Sequence, residues 1–183
     1  MKEIICAGFA GQGVLTIGML LVHAGIKQNK QVLFYPSYGS EVRGGTASCV
    51  VKISDKQIAS PVCKKADIVI GMNVPAVDKF EPFLKLGGVL FVNSSLIPDD
   101  RVYRDDIKVI KVPVTDIAAE AENPRGANIV MLGVLAGKTD LFKPESLKAM
   151  IHPFFKDAGK EEHVAKNVAC FERGVQEYQH RRN

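Results

Sequence analysis

The sequence is poor in the residues that usually announce chemistry. Its 183 residues hold four cysteines, and no two of them form a C-x-x-C pair. Cys6, Cys49, Cys63 and Cys170 are spaced for neither a zinc site nor a ferredoxin-type cluster, so the chain is not expected to bind metal or iron–sulfur clusters itself. Cys6 and Cys49 lie in apolar strand runs and read as buried free thiols in a reducing compartment. Of the four histidines, His23 falls in an apolar helix and reads as a hydrogen-bonded core residue, while His152, His163 and His180 fall in the C-terminal helices. Gly-x-Ser-x-Gly is absent, and no Ser, Cys or Asp stands in a nucleophile setting. The longest apolar stretch, Val14 to Ile26, is broken by Thr16 and His23 and falls short of the roughly 20 residues a bilayer requires. Lys2 and Glu3 do not make a signal peptide, so the expected location is the cytoplasm, with no membrane partner. The excess of bases over acids is only 24 against 20, and Arg181 and Arg182 in the tail supply much of it. That is no nucleic-acid footprint. At 46% hydrophobic and 24% charged, the composition is that of a soluble globular protein.

What the chain does have is glycine in one telling place. Glu3-Ile4-Ile5-Cys6-Ala7 is an apolar run suited to a strand buried on both faces. Gly8-Phe9-Ala10-Gly11-Gln12-Gly13 follows, and Val14 to Gln28 then carries apolar residues at helical spacing. Strand, glycine turn and helix put backbone N–H donors at a helix N-terminus, where a phosphate, carboxylate or carbonyl oxygen is favoured. Gly11, Gln12 and Gly13 are therefore candidate binding residues; the alternative is that the glycines only permit a tight turn. The order Gly-x-x-Gly-x-Gly departs from the dinucleotide fingerprint Gly-x-Gly-x-x-Gly. No acid follows the second strand to hold a ribose, and the Gly-Lys-Ser/Thr ending of a P-loop is missing.

Along the chain, Gln31 to Tyr35 reads as a second strand and Ala47 to Ser54 as a third. Asp67 to Met72 is a fourth, with Asn73-Val74-Pro75 opening a helix over 75–85 that Gly87-Gly88 ends. Val89 to Asn93 and Lys108 to Val112 complete the strands. Thr115 is expected to cap a helix through Ala121. Helices over 127–137, 144–155 and 161–180 follow. Strands alternating with helices imply parallel pairing and right-handed crossovers. The fold class is thus α/β: a single Rossmann-like domain over 1–183, with a mostly parallel central sheet, helices on both faces and a helical C-terminal third. Ligands in such sheets gather at the carboxyl ends of the strands. The glycine turn, the 38–45 loop, Met72-Asn73 and Asn93 to Ser95 all follow strands and are expected to share one edge.

The loop between the second and third strands is the most unusual segment. Tyr38-Gly39-Ser40-Glu41-Val42-Arg43-Gly44-Gly45-Thr46 combines glycines with one acid and one base two residues apart. Arg43 beside Gly44-Gly45 is placed to offer a guanidinium fork to a phosphate or carboxylate. The alternative is an exposed loop in which Glu41 and Arg43 are solvated or weakly paired.

Two stretches together, Gly8-x-x-Gly11-Gln12-Gly13-Val14 and Tyr38 to Ala47, closely resemble the gamma subunit, or gamma domain, of the 2-oxoacid:ferredoxin oxidoreductases. Asn128-Ile129-Val130-Met131-Leu132-Gly133 and Asn167-x-x-x-Phe171-x-x-Gly174 resemble that family's later helical motifs, so the likeness covers essentially the whole chain; Asn123-Pro124-Arg125-Gly126 is less typical of it. The resemblance implies a multisubunit enzyme that oxidatively decarboxylates a 2-oxoacid such as pyruvate or 2-oxoglutarate, transfers the acyl group to coenzyme A and reduces ferredoxin. It implies alpha and beta partners, with or without a delta subunit, that hold thiamine diphosphate, Mg and the iron–sulfur clusters. This chain would hold none alone. It further implies that Gly11, Gln12, Gly13, Tyr38, Gly39, Ser40, Glu41, Arg43, Gly44, Gly45 and Thr46 border the active site, the coenzyme A entrance or a subunit interface. The beta subunit of indolepyruvate:ferredoxin oxidoreductase shares this domain and is the nearest rival; a free-standing nucleotide-binding module is the other.

Overall fold

In a computed structural model, which describes residues 1–38 and 45–180, with side chains through Glu177, the first strand is the axis of the sheet. β1 (Lys2–Phe9) is central in the order β2-β3-β1-β4-β5-β6, and Ile4 to Gly8 are all buried, as an apolar run without alternation requires. The other strands are β2 (Gln31–Tyr38), β3 (Thr46–Ser54), β4 (Ala66–Gly71), β5 (Leu84–Asn93) and β6 (Lys108–Val112). β1, β4, β5 and β6 pair in parallel. β3 runs antiparallel to both β1 and β2, so β2 points with the other four and five of the six strands share one direction. The sheet is thus mostly parallel, and β3 is its exception. The connection over residues 39–45 explains the departure from uniform alternation, because a parallel return needs a crossover of a dozen or more residues.

Two helices cover opposite faces. α1 (Val14–Lys27) lies on the face of Cys6, Cys49 and Val51; a Cβ on Gly18 would stand 2.5 Å from Cys49 Sγ and 2.8 Å from Phe34 Cε2. α2 (Val74–Phe80) lies on the alternate residues of the other face, where Ile5, Ala7, Val69, Leu90 and Val92 bury Ala76, Val77 and Phe80. Asn73 caps α2, its Oδ1 accepting the Ala76 N–H at 2.9 Å. The helix expected over 75–85 stops at Phe80 and passes through a 3-10 turn, Glu81–Phe83, because Pro82 has no N–H to continue it. Gly87-Gly88 does not end a helix: both lie within β5. The register there jumps from Ala66–Leu84 to Ile68–Val89, and Gly87 takes φ +71° in the irregularity.

β2 runs beyond the expected Tyr35, through Pro36 to Tyr38. Pro36 pairs with Cys49 without a break in register, as it can on an edge strand whose ring nitrogen faces away from the neighbour. At the opposite end of the sheet, Lys52 is 3% exposed and bonds Glu3 Oε1 at 2.8 Å and the Val62 carbonyl at 2.6 Å. Asp67 accepts the Glu3 N–H at 2.8 Å and Lys85 Nζ at 3.0 Å. Burial works against the Asp67 charge, but those two donors outweigh it and hold the carboxyl below its ordinary value.

The chain divides into two compact units, Met1–Val112 and Pro113–Asn183. The second contains α3 (Val114–Glu120), α4 (Ala127–Lys138), α5 (Pro144–Asp157) and α6 (Val164–His180). α3 starts one residue before Thr115, with Pro113 at its N-cap position, so Thr115 lies in the first turn and is not the cap. α4 and α6 cross with their backbones in contact: a Cβ on Gly133 would fall on the Phe171 carbonyl oxygen, and one on Gly174 on the Val130 carbonyl oxygen. Asn123 Nδ2 donates to Asn167 Oδ1 at 3.0 Å, and Gly126 admits Cys170 beside it. The Asn128–Gly133 and Asn167–Gly174 motifs therefore meet each other.

Candidate functional site

The glycine turn is built around a side chain folded back into it. Gly11 (φ +96°) and Gly13 (φ +71°) take left-handed conformations that L side chains resist, and Gly13 is the N-cap residue of α1. Between them, Gln12 turns inward. Its Oε1 accepts the Phe9 N–H at 2.7 Å and Asn73 Nδ2 at 2.8 Å, and its Nε2 donates to the Met72 carbonyl at 3.3 Å. The amide orientation is fixed by this network: the atom facing the Phe9 N–H must be oxygen, and Asn73 must present nitrogen because its oxygen holds Ala76. Asn93 Nδ2, at the end of β5, donates to the same Met72 carbonyl at 3.3 Å. Gly8 leaves room for this, since a Cβ there would lie 2.7 Å from Gln12 Oε1.

One edge of the first unit thus joins the carboxyl ends of β1, β4 and β5. The start of β3 belongs to it too: the Ala10 N–H donates to the Gly45 carbonyl at 3.2 Å, and Phe9 pairs with Thr46. Gly45 is buried and Thr46 half-buried. Tyr38 is 69% exposed and Phe9 38% exposed beside the turn. Gly39, Ser40, Glu41, Arg43 and Gly44, also expected at this edge, lie outside the described residues. Sequence reasoning placed Met72-Asn73 and Asn93 at the edge, but not the tie that Gln12 makes between them. Carboxamides directly after apolar strands were the available signal. The tie is neutral and does not titrate.

Elsewhere the expected chemistry is thin. His23 is exposed on α1, a correction to its reading as a core histidine: the apolar spacing around it left position 23 on the solvent side. Cys6, Cys49 and Cys170 are buried free thiols and Cys63 is half-buried. The hydrogen bond with Cys49, reinforced by burial, pushes the Cys6 thiol well above its ordinary value, the opposite of nucleophile activation. Among the described residues no cluster of three His, Cys, Asp or Glu is arranged to hold a metal ion, and no helix is long and apolar enough to cross a membrane. An open groove lined by Lys65, Asp78, Glu81, Arg101 and Arg104 holds three bases against two acids, and both arginines are paired. Arg101 pairs with Asp78 and with Glu81 at 2.9 Å, and Arg104 pairs with Asp106 at 2.6 Å.

Comparison with known proteins bears on the whole chain. Residues 3–177 match the family described as pyruvate ferredoxin/flavodoxin oxidoreductase. The 2-oxoglutarate synthase subunit KorC of Methanocaldococcus jannaschii is 38% identical over 178 residues, covering 96% of this chain and 92% of that one. The ketoisovalerate oxidoreductase subunit VorA of Methanothermobacter marburgensis is 35% identical over 171 residues, 92% of this chain but 35% of that one. Among solved structures, the keto/oxoacid ferredoxin oxidoreductase gamma subunit from Geobacter sulfurreducens superposes with a TM-score of 0.82 at 27% identity, covering 98% of this chain and 99% of the other.

Proposed function

The chain belongs to the pyruvate ferredoxin/flavodoxin oxidoreductase family, and we propose that residues 1–183 serve as one gamma-type domain, the gamma subunit of a cytoplasmic 2-oxoacid:ferredoxin oxidoreductase. The complex decarboxylates a 2-oxoacid oxidatively, transfers the acyl group to coenzyme A and delivers two electrons to ferredoxin. 2-Oxoglutarate is the first substrate to test, in keeping with the KorC relative, and pyruvate the second. Alpha and beta partners, with or without delta, carry thiamine diphosphate, Mg and the clusters, and the cofactor supplies the difficult chemistry. This chain contributes a shaped surface. Gly11, Gln12, Gly13 and Tyr38 to Thr46 border the active site or the coenzyme A entrance, and Arg43 contacts an anion, either a coenzyme A phosphate or an acid of a partner subunit.

The observation that supports this reading most is the shared edge. The turn at Gly8 to Gly13, the strand start at Gly45-Thr46 and the β4 end at Met72-Asn73 are hydrogen-bonded into one surface, at the end of the sheet where ligands of such folds gather. The test is anaerobic purification of the tagged chain from its native cells. Thiamine- and cluster-bearing subunits should come with it, and the sample should reduce viologen in a reaction requiring both coenzyme A and a 2-oxoacid. A chain that emerges alone, without that activity, refutes the proposal. Arg43→Ala in the assembled enzyme is expected to lower kcat/KM for coenzyme A or to weaken assembly by about 10- to 100-fold, the worth of a charge-assisted hydrogen bond. Assembly and coenzyme A kinetics both unchanged would remove Arg43 from the site.

A further inference from the structure

The Gln12 carboxamide is already occupied. Both acceptor positions of its oxygen are filled, by the Phe9 N–H and by Asn73 Nδ2, and one of its two amide hydrogens goes to the Met72 carbonyl. A side chain so committed has no oxygen lone pair left to offer a ligand. Asn73 is committed too: Oδ1 caps α2 through the Ala76 N–H, and Nδ2 holds Gln12. The Met72 carbonyl takes donors from Gln12 and Asn93 together. The glycines around Gln12 each serve this inward fold. Gly8 clears the space that Oε1 fills, and Gly11 and Gly13 supply the left-handed backbone on either side.

We infer that Gln12 is a positioning residue whose carboxamide, held by Asn73, ties the β1–α1 turn to the ends of β4 and β5, so that the backbone of residues 9–13 is presented in one fixed geometry. The inference rests on the proposed gamma-subunit reading for its kinetic consequence, but not for its geometry. A group positioned through another acts by keeping the reacting partners within a fraction of an ångström, and losing that precision carries large rate penalties. The exposed Phe9 ring and the Gly11 backbone are what the tie orients; Gln12 itself stays beneath them.

The test is a double-mutant cycle in the assembled enzyme, using Gln12→Ala, Asn73→Asp and the pair. Asn73→Asp keeps an oxygen to cap α2, removes the donor to Gln12 and sets a carboxylate against Oε1. Each single change is expected to lower kcat/KM for coenzyme A by about tenfold, and the pair by about tenfold as well, because the tie can be cut only once. Asn73→Ser, which caps α2 without a charge, should behave as Asn73→Asp does and substitutes for it if that variant does not assemble. Hydrogen exchange in peptides spanning residues 8–13 supplies a second readout. Asn73→Asp should speed exchange at the Phe9 amide by about tenfold, with no further increase when Gln12 is already Ala. Losses that multiply to about a hundredfold in the pair, or an Asn73→Asp variant indistinguishable from wild type, would show that Gln12 acts by its own contact and overturn the inference. If the wild-type complex has no coenzyme A-dependent activity at all, the gamma-subunit reading fails, and the exchange measurements still decide the tie.

Discussion

Replacing Gly174 with Ala adds a single methyl group where two helices already touch. The added carbon would stand 3.0 Å from the Val130 carbonyl carbon and 3.0 Å from the Val134 N, with the Val130 oxygen closer still. Those are backbone atoms of α4, so no rotamer change relieves the overlap, and the helices must part by about 1 Å to restore ordinary contact distances. Overpacking of this kind costs up to about 3 kcal/mol, and the better helix propensity of Ala returns about 1 kcal/mol. A net loss of about 2 kcal/mol lowers the midpoint of thermal unfolding by about 4–8 °C in a chain of this size. Gly133 meets the Phe171 carbonyl across the same crossing. Once the helices have separated for one methyl group, the second finds part of its space made, so Gly133→Ala and Gly174→Ala together should cost less than the sum of the singles. Differential scanning calorimetry of the three variants tests this. A Gly174→Ala protein melting within about 1 °C of wild type, or strictly additive losses, would refute the close-crossing argument.

Two further outcomes follow from the charged cluster at the other end of the sheet. Lys52→Met strands the Glu3 carboxylate and the Val62 carbonyl, leaving Glu3 with Lys85 at 3.6 Å among the described residues; urea unfolding should show a loss of about 3 kcal/mol, and a loss under about 1 kcal/mol would mean that Lys52 does not anchor these two groups. Asp67 titrates below its ordinary value of 3.8, so its contribution is fully present above that value and is lost as the pH falls through the lowered folded-state one. Asp67→Asn should therefore make stability less steep in pH between about 5 and 2, measured by denaturant midpoints, and an unchanged slope would contradict the assignment.

Much of this architecture could be read from the residues because buried parallel strands are nearly continuous apolar runs. Ile4 to Ala7, Asp67 to Met72 and Val89 to Asn93 carry that signal, and the glycines that follow the first of them mark the turn. That a helix opens at Asn73-Val74-Pro75 was legible from the proline near its first turn, while the cap made by the Asn73 side chain was not. The misreadings have a common origin in contacts remote along the chain. Nothing local to Ala47–Ser54 states its direction; the short connection before it does. Gly87-Gly88 resembles a helix stop until the register of β5 against β4 accounts for it. His23 looked interior because its neighbours are. The Gln12 tie spans 61 residues to Asn73, and the Gly133–Gly174 crossing 41, so neither can be seen in any local window. Five of the eleven candidate residues, Gly39, Ser40, Glu41, Arg43 and Gly44, lie outside the described residues.

The proline in β2 has a consequence for life before assembly. A subunit destined for a complex is made as a free chain, and an exposed edge strand is an invitation to pair with another copy of itself. Pro36 sits within the edge strand, two residues before exposed Tyr38 and next to exposed Tyr35. With no N–H to offer, it interrupts any intermolecular ladder that would grow along that border. Aromatic surface can then remain displayed beside the candidate site, for partners to find, without the edge propagating from chain to chain.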